Sequence, residues 1–206
     1  MKPSSLLLSG VSVVLFACLV ACNKEVQPAS QRAVEIKSSE MVWRPYKDTF
    51  DTYYIVKPDF ENGAAPETNF LPAWFPGGGE GNATHMGKAY CYFNQYTSFG
   101  PGGLGSVPAP VSMFFETELA SAGITDVPFY VNNITYDKKG NSIWFQGGQA
   151  TTVIVSETRI NFNGKGTIVG GTGKFKNATG SVVLYGYFNP QDPSDAGFGT
   201  DGTIRY

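Results

Sequence analysis

Apolar and polar residues alternate in short runs along most of this chain, and turn-forming residues separate the runs. β-Branched and aromatic residues fill the runs, while glycine, proline, asparagine and aspartate are frequent between them. This pattern is typical of an all-β sandwich or barrel. The predicted strands, in chain order, are 41–46, 49–56, 83–99, 111–115, 129–136, 142–146, 151–155, 158–162, 165–169, 181–188 and 202–206.

Some stretches do not follow the strand pattern. Residues 115–122 either form one short helix or end the strand 111–115. Three segments rich in glycine and proline are predicted to be loops, and loops of this length are functional or mobile. These segments are 58–80, 100–110 and 190–199.

Trp74 and Phe75 lie in the first predicted loop and are candidate ligand-binding residues. Large apolar side chains in a loop are expected to pack against another apolar surface. We favour the interpretation that they close one end of a barrel, and the alternative is that they form a lid over a ligand.

The predicted strand 83–99 carries the single histidine of the chain, His85. Strand alternation places Ala83, His85 and Cys91 on one face, whose members are small and mostly apolar, and we expect this face to line the interior. His85 would then lie near one end of the interior as a candidate ligand-binding residue. A structural role as hydrogen-bond donor is favoured over acid–base catalysis.

Nucleophilic and metal chemistry find little support in this composition. One histidine excludes histidine-cluster metal sites. His85 and Cys91 are six residues apart, which is about 20 Å along a strand, so they cannot form a catalytic dyad there. We therefore assign no catalytic residue, no metal and no cofactor, and we expect Cys91 to be a small buried apolar residue.

Tyr185 and Tyr187 share one face of the predicted strand 181–188. Two tyrosines on a sheet surface could serve as a platform for a sugar. Ordinary packing between neighbouring strands is the favoured interpretation. The formal net charge of −2 provides no basic surface for nucleic acid.

A glycine-rich corner lies between the strands 165–169 and 181–188. Gly170, Gly171 and Gly173 permit a turn that other side chains would block, and Gly180 allows a short helical turn to end. A phosphate-binding loop is excluded because Phe175 stands where Ser or Thr should follow the Gly-Lys pair. The dinucleotide-binding pattern fails because Lys176 occupies the place of its third glycine.

The segment Gly-Gly-Thr-Gly-Lys-Phe-Lys-Asn-Ala-Thr-Gly at 170–180 resembles a motif of the allene oxide cyclase barrel-like superfamily, which includes plant dirigent proteins. Gly-Asn-Ala-Thr-His-Met-Gly at 81–87 is similar to a second segment of its bacterial secreted members. The resemblance implies an eight-stranded antiparallel barrel with an apolar interior, and no single activity. The predicted core contains Phe175 at the corner, with Ile168, Val182 and Leu184.

The amino-terminal residues resemble the signal peptide of a bacterial lipoprotein. Lys2 precedes an apolar run that ends in Leu-Val-Ala before Cys22. This predicts a signal peptide over 1–21, a lipid-anchored tether over 22–39 and a barrel domain over 40–206. Removal of Cys18 and acylation of Cys22 would leave Cys91 as the one free thiol, so no intramolecular disulfide is expected.

Acylation of Cys22 implies attachment to a lipid bilayer without a membrane span. Cys22-Asn23-Lys24-Glu25 partly resembles an export signal of lipoproteins from the Bacteroidetes group, although Val26 replaces its second acidic residue. We therefore expect a location in the cell envelope at the outer membrane, with surface exposure left open as an alternative.

The functional expectation is a membrane-anchored barrel that binds a ligand or has a structural role, without enzymatic activity. Two alternatives stay open. One is a cyclase- or dirigent-like enzyme or chaperone that acts on a reactive apolar molecule, and the other is a carbohydrate-binding module that uses surface tyrosines.

Overall fold

The structure, a computed structural model, describes residues 41–100, 103–148 and 150–206. The predicted signal peptide and tether lie outside the described residues. The strands are β1 (Trp43–Tyr54), β2 (Lys57–Pro58), β3 (Ala73–Trp74), β4 (Gly77–Ala83), β5 (Gly87–Phe93), β6 (Gln95–Gly100), β7 (Gly103–Pro108), β8 (Asn133–Tyr136), β9 (Ser142–Gly147), β10 (Thr151–Ser156), β11 (Arg159–Thr172), β12 (Thr179–Asn189) and β13 (Asp192–Arg205). The helix is α1 (Ser112–Ser121), and short 3-10 turns span Phe60–Asn62, Pro66–Thr68 and Gly173–Phe175.

Eight antiparallel strands form a closed ring in the order β1, β4, β5, β8, β9, β11, β12 and β13. The ring closes because β13 pairs with β1 and because β11 pairs with β9 as well as with β12. The predicted eight-stranded antiparallel barrel is therefore confirmed. The first half of β11 also pairs with β10, which lies outside the ring, and a second sheet contains β2, β3, β6 and β7.

The barrel has two ends that differ in how they are filled. We call the end at Tyr54 and Phe93, where β1 and β5 finish, the mouth. We call the opposite end, where β1 begins at Trp43 and the glycine corner carries Phe175, the base.

Alternate residues of β1 show which side chains enter the barrel. The even-numbered residues Tyr46, Asp48, Phe50, Thr52 and Tyr54 are buried, and the residues between them are exposed. Phe175 is fully buried, Ile168 is 1% exposed and Val182 is 5% exposed. Leu184 is half-buried and packs against the same cluster, so the predicted core is confirmed.

The glycine corner closes the base around Phe175, whose ring centroid lies 4.6 Å from that of Tyr206. Gly173 adopts a φ of +59°, a left-handed conformation that suits glycine. At Gly171 and Gly180, an added Cβ would lie 2.0 and 2.1 Å from carbonyl oxygens of neighbouring strands. The motif residues are thus explained by backbone geometry at the plugged end.

The helix α1 packs on the outer surface of the barrel, so the helical alternative for residues 115–122 is confirmed. Phe115 and Leu119 on the helix join Val131 and Ile134 in a second buried cluster. The predicted strand 111–115 is wrong, because α1 begins at Ser112.

The predicted single strand 83–99 is also wrong. It is divided into the end of β4, a turn, β5 and β6. His85 has a φ of +70° and Gly87 a φ of +78°, and these left-handed conformations reverse the chain within three residues. His85 therefore lies in a turn and not on the inward face of a strand, while Ala83 and Cys91 enter the core as predicted.

The three predicted loops contain strands. The segment 58–80 includes β3 and most of β4, 100–110 includes β7, and 190–199 opens β13. In β4, an added Cβ would lie 2.2 Å from the Asp51 carbonyl oxygen at Gly79, and 1.9 Å from the Thr49 carbonyl oxygen at Gly81. Glycine is therefore required by the close approach of β1, and it does not mark a loop here.

Other strand predictions merge into longer elements. The segments 41–46 and 49–56 form one strand, β1, and 158–162 and 165–169 form one strand, β11. The predictions for β9, β10 and β12 agree with the structure within a few residues.

Candidate functional site

A cavity of about 300 Å³ lies at the mouth of the barrel, between its inner wall and the sheet formed by β2, β3, β6 and β7. Its apolar lining includes Leu71, Phe75, Phe93, Leu104, Ile160, Phe162, Leu184, Phe188, Ala196 and Phe198. Its polar lining includes Thr52, Asn69, Asn94, Gln95, Thr97, Ser106, Asn132, Asn133 and Thr152. An apolar pocket of this size with a few polar groups is typical of a small-molecule site.

Two asparagines of the lining each have a buried side-chain oxygen without a hydrogen-bond partner, Oδ1 of Asn94 and Oδ1 of Asn133. The Asn94 side chain is 1% exposed, and its Nδ2 donates to the Pro110 carbonyl oxygen over 3.0 Å. That bond fixes Oδ1 of Asn94 as the free acceptor. A buried amide oxygen without a partner costs about 1–3 kcal/mol, so a ligand that donates to it would be stabilised.

Three other polar residues of the lining are hydrogen-bonded within the protein. Oδ1 of Asn132 accepts from the backbone N–H of Gly147 over 2.6 Å. The hydroxyl groups of Thr97 and Ser106 are 2.8 Å apart and join β6 to β7. Among the described residues, the side chains of Thr52, Asn69, Gln95 and Thr152 make no such bond, so they can also pair with a ligand.

Three aromatic rings form the floor of the cavity. The ring centroid of Phe198 lies 5.3 Å from that of Phe50 and 5.7 Å from that of Phe93. One level closer to the base, beneath Phe50, lies the buried carboxylate of Asp48. The floor thus separates the cavity from this carboxylate.

Asp48 is 2% exposed and accepts several hydrogen bonds inside the barrel. Its Oδ1 accepts from the backbone N–H and the hydroxyl of Thr200, at 2.8 and 2.7 Å. Its Oδ2 accepts from the Tyr46 hydroxyl at 2.8 Å and from the Thr135 hydroxyl at 3.4 Å. These bonds join β1, β13 and β8 across the interior.

Burial changes the acid–base properties of this cluster. It raises the pKa of Asp48, and the hydrogen bonds from Thr200 and Tyr46 offset part of the rise. Burial and the neighbouring Asp48 also raise the pKa of the Cys91 thiol well above its ordinary value. Cys91 is therefore held as a thiol, and a thiol is a weak nucleophile.

His85 lies at the base, away from the cavity. Its Nε2 donates to the Pro45 carbonyl oxygen over 3.0 Å, and its ring centroid is 5.6 Å from that of Tyr206. Its own carbonyl oxygen accepts from the Lys174 amine. These contacts hold the turn before β5 against β1 and the glycine corner.

The two aromatic residues of the first predicted loop have separate positions. Phe75 lines the cavity, and its ring centroid lies 5.8 Å from that of Tyr54. Trp74 packs between Tyr96 and Phe114, with ring centroids 5.1 and 6.4 Å away. Phe75 therefore takes part in the candidate site, and Trp74 supports the second sheet.

Tyr185 and Tyr187 lie on the outer face of β12, and Tyr187 also contributes to the lining of the mouth cavity. Arg159 stacks on Tyr187, with its guanidinium carbon 3.9 Å from the ring centroid. Tyr185 is 39% exposed, and a Cβ built on Gly199 would lie 3.0 Å from its Cζ, so the ring lies across that glycine.

Sequence reasoning missed the most informative polar residues, Asp48, Asn94 and Asn133. Asp48 fell between two predicted strands, although it continues the alternation of Tyr46 and Phe50. That alternation could have predicted that the Asp48 side chain points into the barrel. Asn94 and Asn133 stand at strand ends and have no distinctive pattern around them.

Neither metal binding nor membrane crossing by a helix finds support in the described part of the chain. Across residues 41–100, 103–148 and 150–206, no three His, Cys, Asp or Glu side chains are grouped as metal ligands would be. The helix in these ranges is too short and too polar to cross a bilayer.

Comparison with known proteins adds one structural likeness. No protein-family model matches the chain, and no curated protein matches it. A solved structure of a pterocarpan synthase dirigent protein, GePTS1, is similar with a TM-score of 0.44 and 15% sequence identity. The match covers 82% of this chain and 88% of that one.

Proposed function

We propose that the barrel binds an uncharged, largely apolar small molecule in the mouth cavity, and that this molecule donates hydrogen bonds to the protein. The observation that carries the proposal is the pair of unpartnered amide oxygens, Asn94 Oδ1 and Asn133 Oδ1, in a lining that is otherwise mostly apolar. An apolar ligand without donors would leave both oxygens unsatisfied. A carboxylate placed at these two oxygens would meet acceptors where it needs donors.

The lining favours binding over catalysis. Its polar side chains are amides and hydroxyls, which orient a ligand but do not exchange protons near neutral pH. The buried Asp48 is separated from the cavity by the floor of Phe50, Phe93 and Phe198. A cyclase- or dirigent-like activity in this cavity would have to act by positioning a reactive ligand.

A pair of matched probes tests the polarity of the cavity. We expect 1-naphthol, which has a hydroxyl donor, to bind about tenfold more tightly than 1-methoxynaphthalene, which has none, as measured by fluorescence titration. Asn133→Leu removes one acceptor at similar volume and should reduce this preference to about twofold. Equal affinity of the two probes for the wild-type protein would contradict the proposal.

The position of the site is tested with a filling substitution. Ala196→Phe adds a ring to the cavity wall, whereas Val153→Phe adds the same ring at a position that is 55% exposed on β10. The first variant should lose most 1-naphthol binding, and the second should bind as the wild type does. Unchanged binding by a folded Ala196→Phe variant would place the probe elsewhere.

We propose further that acyl chains on Cys22 attach the protein to the cell envelope at the outer membrane. The apolar run that ends in Leu-Val-Ala before Cys22 supports this attachment, and several acyl chains exceed what stable anchoring requires. We expect Cys22→Ser to move the protein from the membrane fraction to the soluble fraction, as detected by immunoblotting. A serine variant that stays on membranes as firmly as the wild type would disprove the anchor.

A further inference from the structure

The outer surface of the barrel carries an open groove that is separate from the mouth cavity. It has a volume of about 670 Å³ and crosses the strands β9, β11, β12 and β13. Strand pairing places Gly147, Gly166, Val182 and Gly202 side by side along its floor. Three strand spacings of about 4.8 Å give the groove a length of about 14 Å.

One side of the groove is a continuous row of hydrogen-bonding side chains. Gln146, Thr167, Ser181 and Thr203 are neighbours on successive strands, and all four are exposed. Hydroxyl groups both donate and accept, and the amide of Gln146 offers both functions as well. Within the described chain, none of these four side chains makes a hydrogen bond to another protein group.

The opposite side of the groove contains Lys165, Val183 and Asp201, which are also neighbours on successive strands. Among the described residues, Lys165 and Asp201 are not joined in an ion pair within 4.0 Å. The two charges have opposite signs and cancel over the groove. This balance suits an uncharged ligand better than an anionic or cationic polymer.

An exposed aromatic ring lies beside the groove. Tyr185 follows Val183 by two residues on the same face of β12, which is about 7 Å along the strand. The tip of its ring lies over Gly199, where an added Cβ would be 3.0 Å from Cζ and from the hydroxyl oxygen, and Tyr185 is 39% exposed. An aromatic face can pack against the C–H groups of a sugar ring while neighbouring polar groups bind the hydroxyls.

We propose that this outer groove, with Tyr185 at its side, binds a neutral oligosaccharide of two to three sugar rings. The proposal assigns the aromatic contact to Tyr185 alone, because Arg159 already stacks on Tyr187. A protein partner fits less well, since Val183 and Tyr185 provide little of the apolar core that a protein interface needs. The groove is independent of the mouth cavity and of any ligand bound there.

The test uses the full chain on an array of neutral and acidic glycans, followed by titration calorimetry with cellotriose, maltotriose and mannotriose. Wild-type protein should bind at least one of the three neutral trisaccharides. Tyr185→Ala should weaken that binding at least tenfold, and Ser181→Lys, which fills the groove, should do the same. Melting temperatures will show whether each variant is folded.

Tyr53→Ala is the matched control, because Tyr53 is 42% exposed on the outer face of β1 and lies away from the groove. This variant should bind as the wild type does. The proposal would be overturned by wild-type protein that binds none of the neutral trisaccharides, by wild-type protein that binds only acidic glycans, or by a folded Tyr185→Ala variant with unchanged affinity. Equal losses in Tyr53→Ala and Tyr185→Ala would likewise overturn it, since the groove would then not be the site.

Discussion

Replacement of Phe175 by alanine is expected to lower the free energy of unfolding by about 3–5 kcal/mol. The Phe175 ring is fully buried at the base, where it packs beside Tyr206. The surrounding chain cannot collapse onto the space left by the ring, because backbone contacts at Gly171 and Gly180 already hold the corner in place. The full cost of a cavity is therefore expected.

Chemical denaturation followed by circular dichroism measures this effect. Phe60→Ala is the control, since Phe60 is 67% exposed in the 3-10 turn Phe60–Asn62 near the mouth. That variant should change the free energy of unfolding by less than about 1 kcal/mol. A Phe175→Ala variant as stable as Phe60→Ala would show that the corner does not depend on its buried ring.

Replacement of Asp48 by alanine should lower the free energy of unfolding by roughly 2–4 kcal/mol. The change removes the acceptor for the backbone and hydroxyl donors of Thr200 and for the Tyr46 hydroxyl, all inside the barrel. Asp48→Asn is the matched variant. Its Oδ1 can keep the bonds from Thr200, and its Nδ2 can donate to the oxygens of Tyr46 and Thr135, so a loss of less than about 1 kcal/mol is expected.

The same pair of variants gives the pH dependence of the Asp48 contribution. Burial raises the native pKa of Asp48, so between the unfolded and native pKa values the native state binds more protons than the unfolded chain. The contribution of Asp48 to stability is therefore fully present below the unfolded pKa of about 3.9, and it declines as the pH rises toward the native pKa.

Urea denaturation of the wild type and Asp48→Asn across pH 3.5–7.5 measures this effect as a difference between the two proteins. The difference removes the opposite effect of Asp59, Asp137 and Asp192, whose pKa values are lowered in the native state. The wild-type advantage should fall as the pH rises. A difference that is constant, or one that grows with pH, would contradict a raised native pKa.

The sequence was informative wherever side-chain alternation dominates the structure. The all-β class and the inward face of Cys91 follow from period-two patterns, and the buried Phe175 follows from the glycine corner. The eight-stranded barrel was implied by the resemblance at residues 170–180 and 81–87. Prediction failed where glycines or turn residues lie in strands. The strand β4 contains Gly77, Gly78, Gly79 and Gly81, and it is stabilised by pairing on both sides with β1 and β5.

The start of β13 is a second place where strand prediction failed because turn-forming residues lie in a strand. Asp192-Pro-Ser-Asp has the composition of a turn, yet it opens a strand of 14 residues that pairs with both β12 and β1. Long-range pairing overrides local propensity there. The candidate site was harder to predict than the strands, because the sequence does not show that Oδ1 of Asn94 and Oδ1 of Asn133 lack partners. That property depends on how the surrounding strands are assembled.

The pairing of β1 with β13 also has a consequence for how the chain folds. Trp43 lies opposite Arg205, and Asp48 bonds to Thr200 across 152 positions of sequence. The ring therefore closes only after the most distant strands of the domain have met. The conformational entropy of the chain between β1 and β13 is lost before the contacts of the closed ring offset that loss. Folding on the millisecond-to-second scale is typical of such topologies, and until closure occurs β1 and β13 each expose an unpaired edge to other chains.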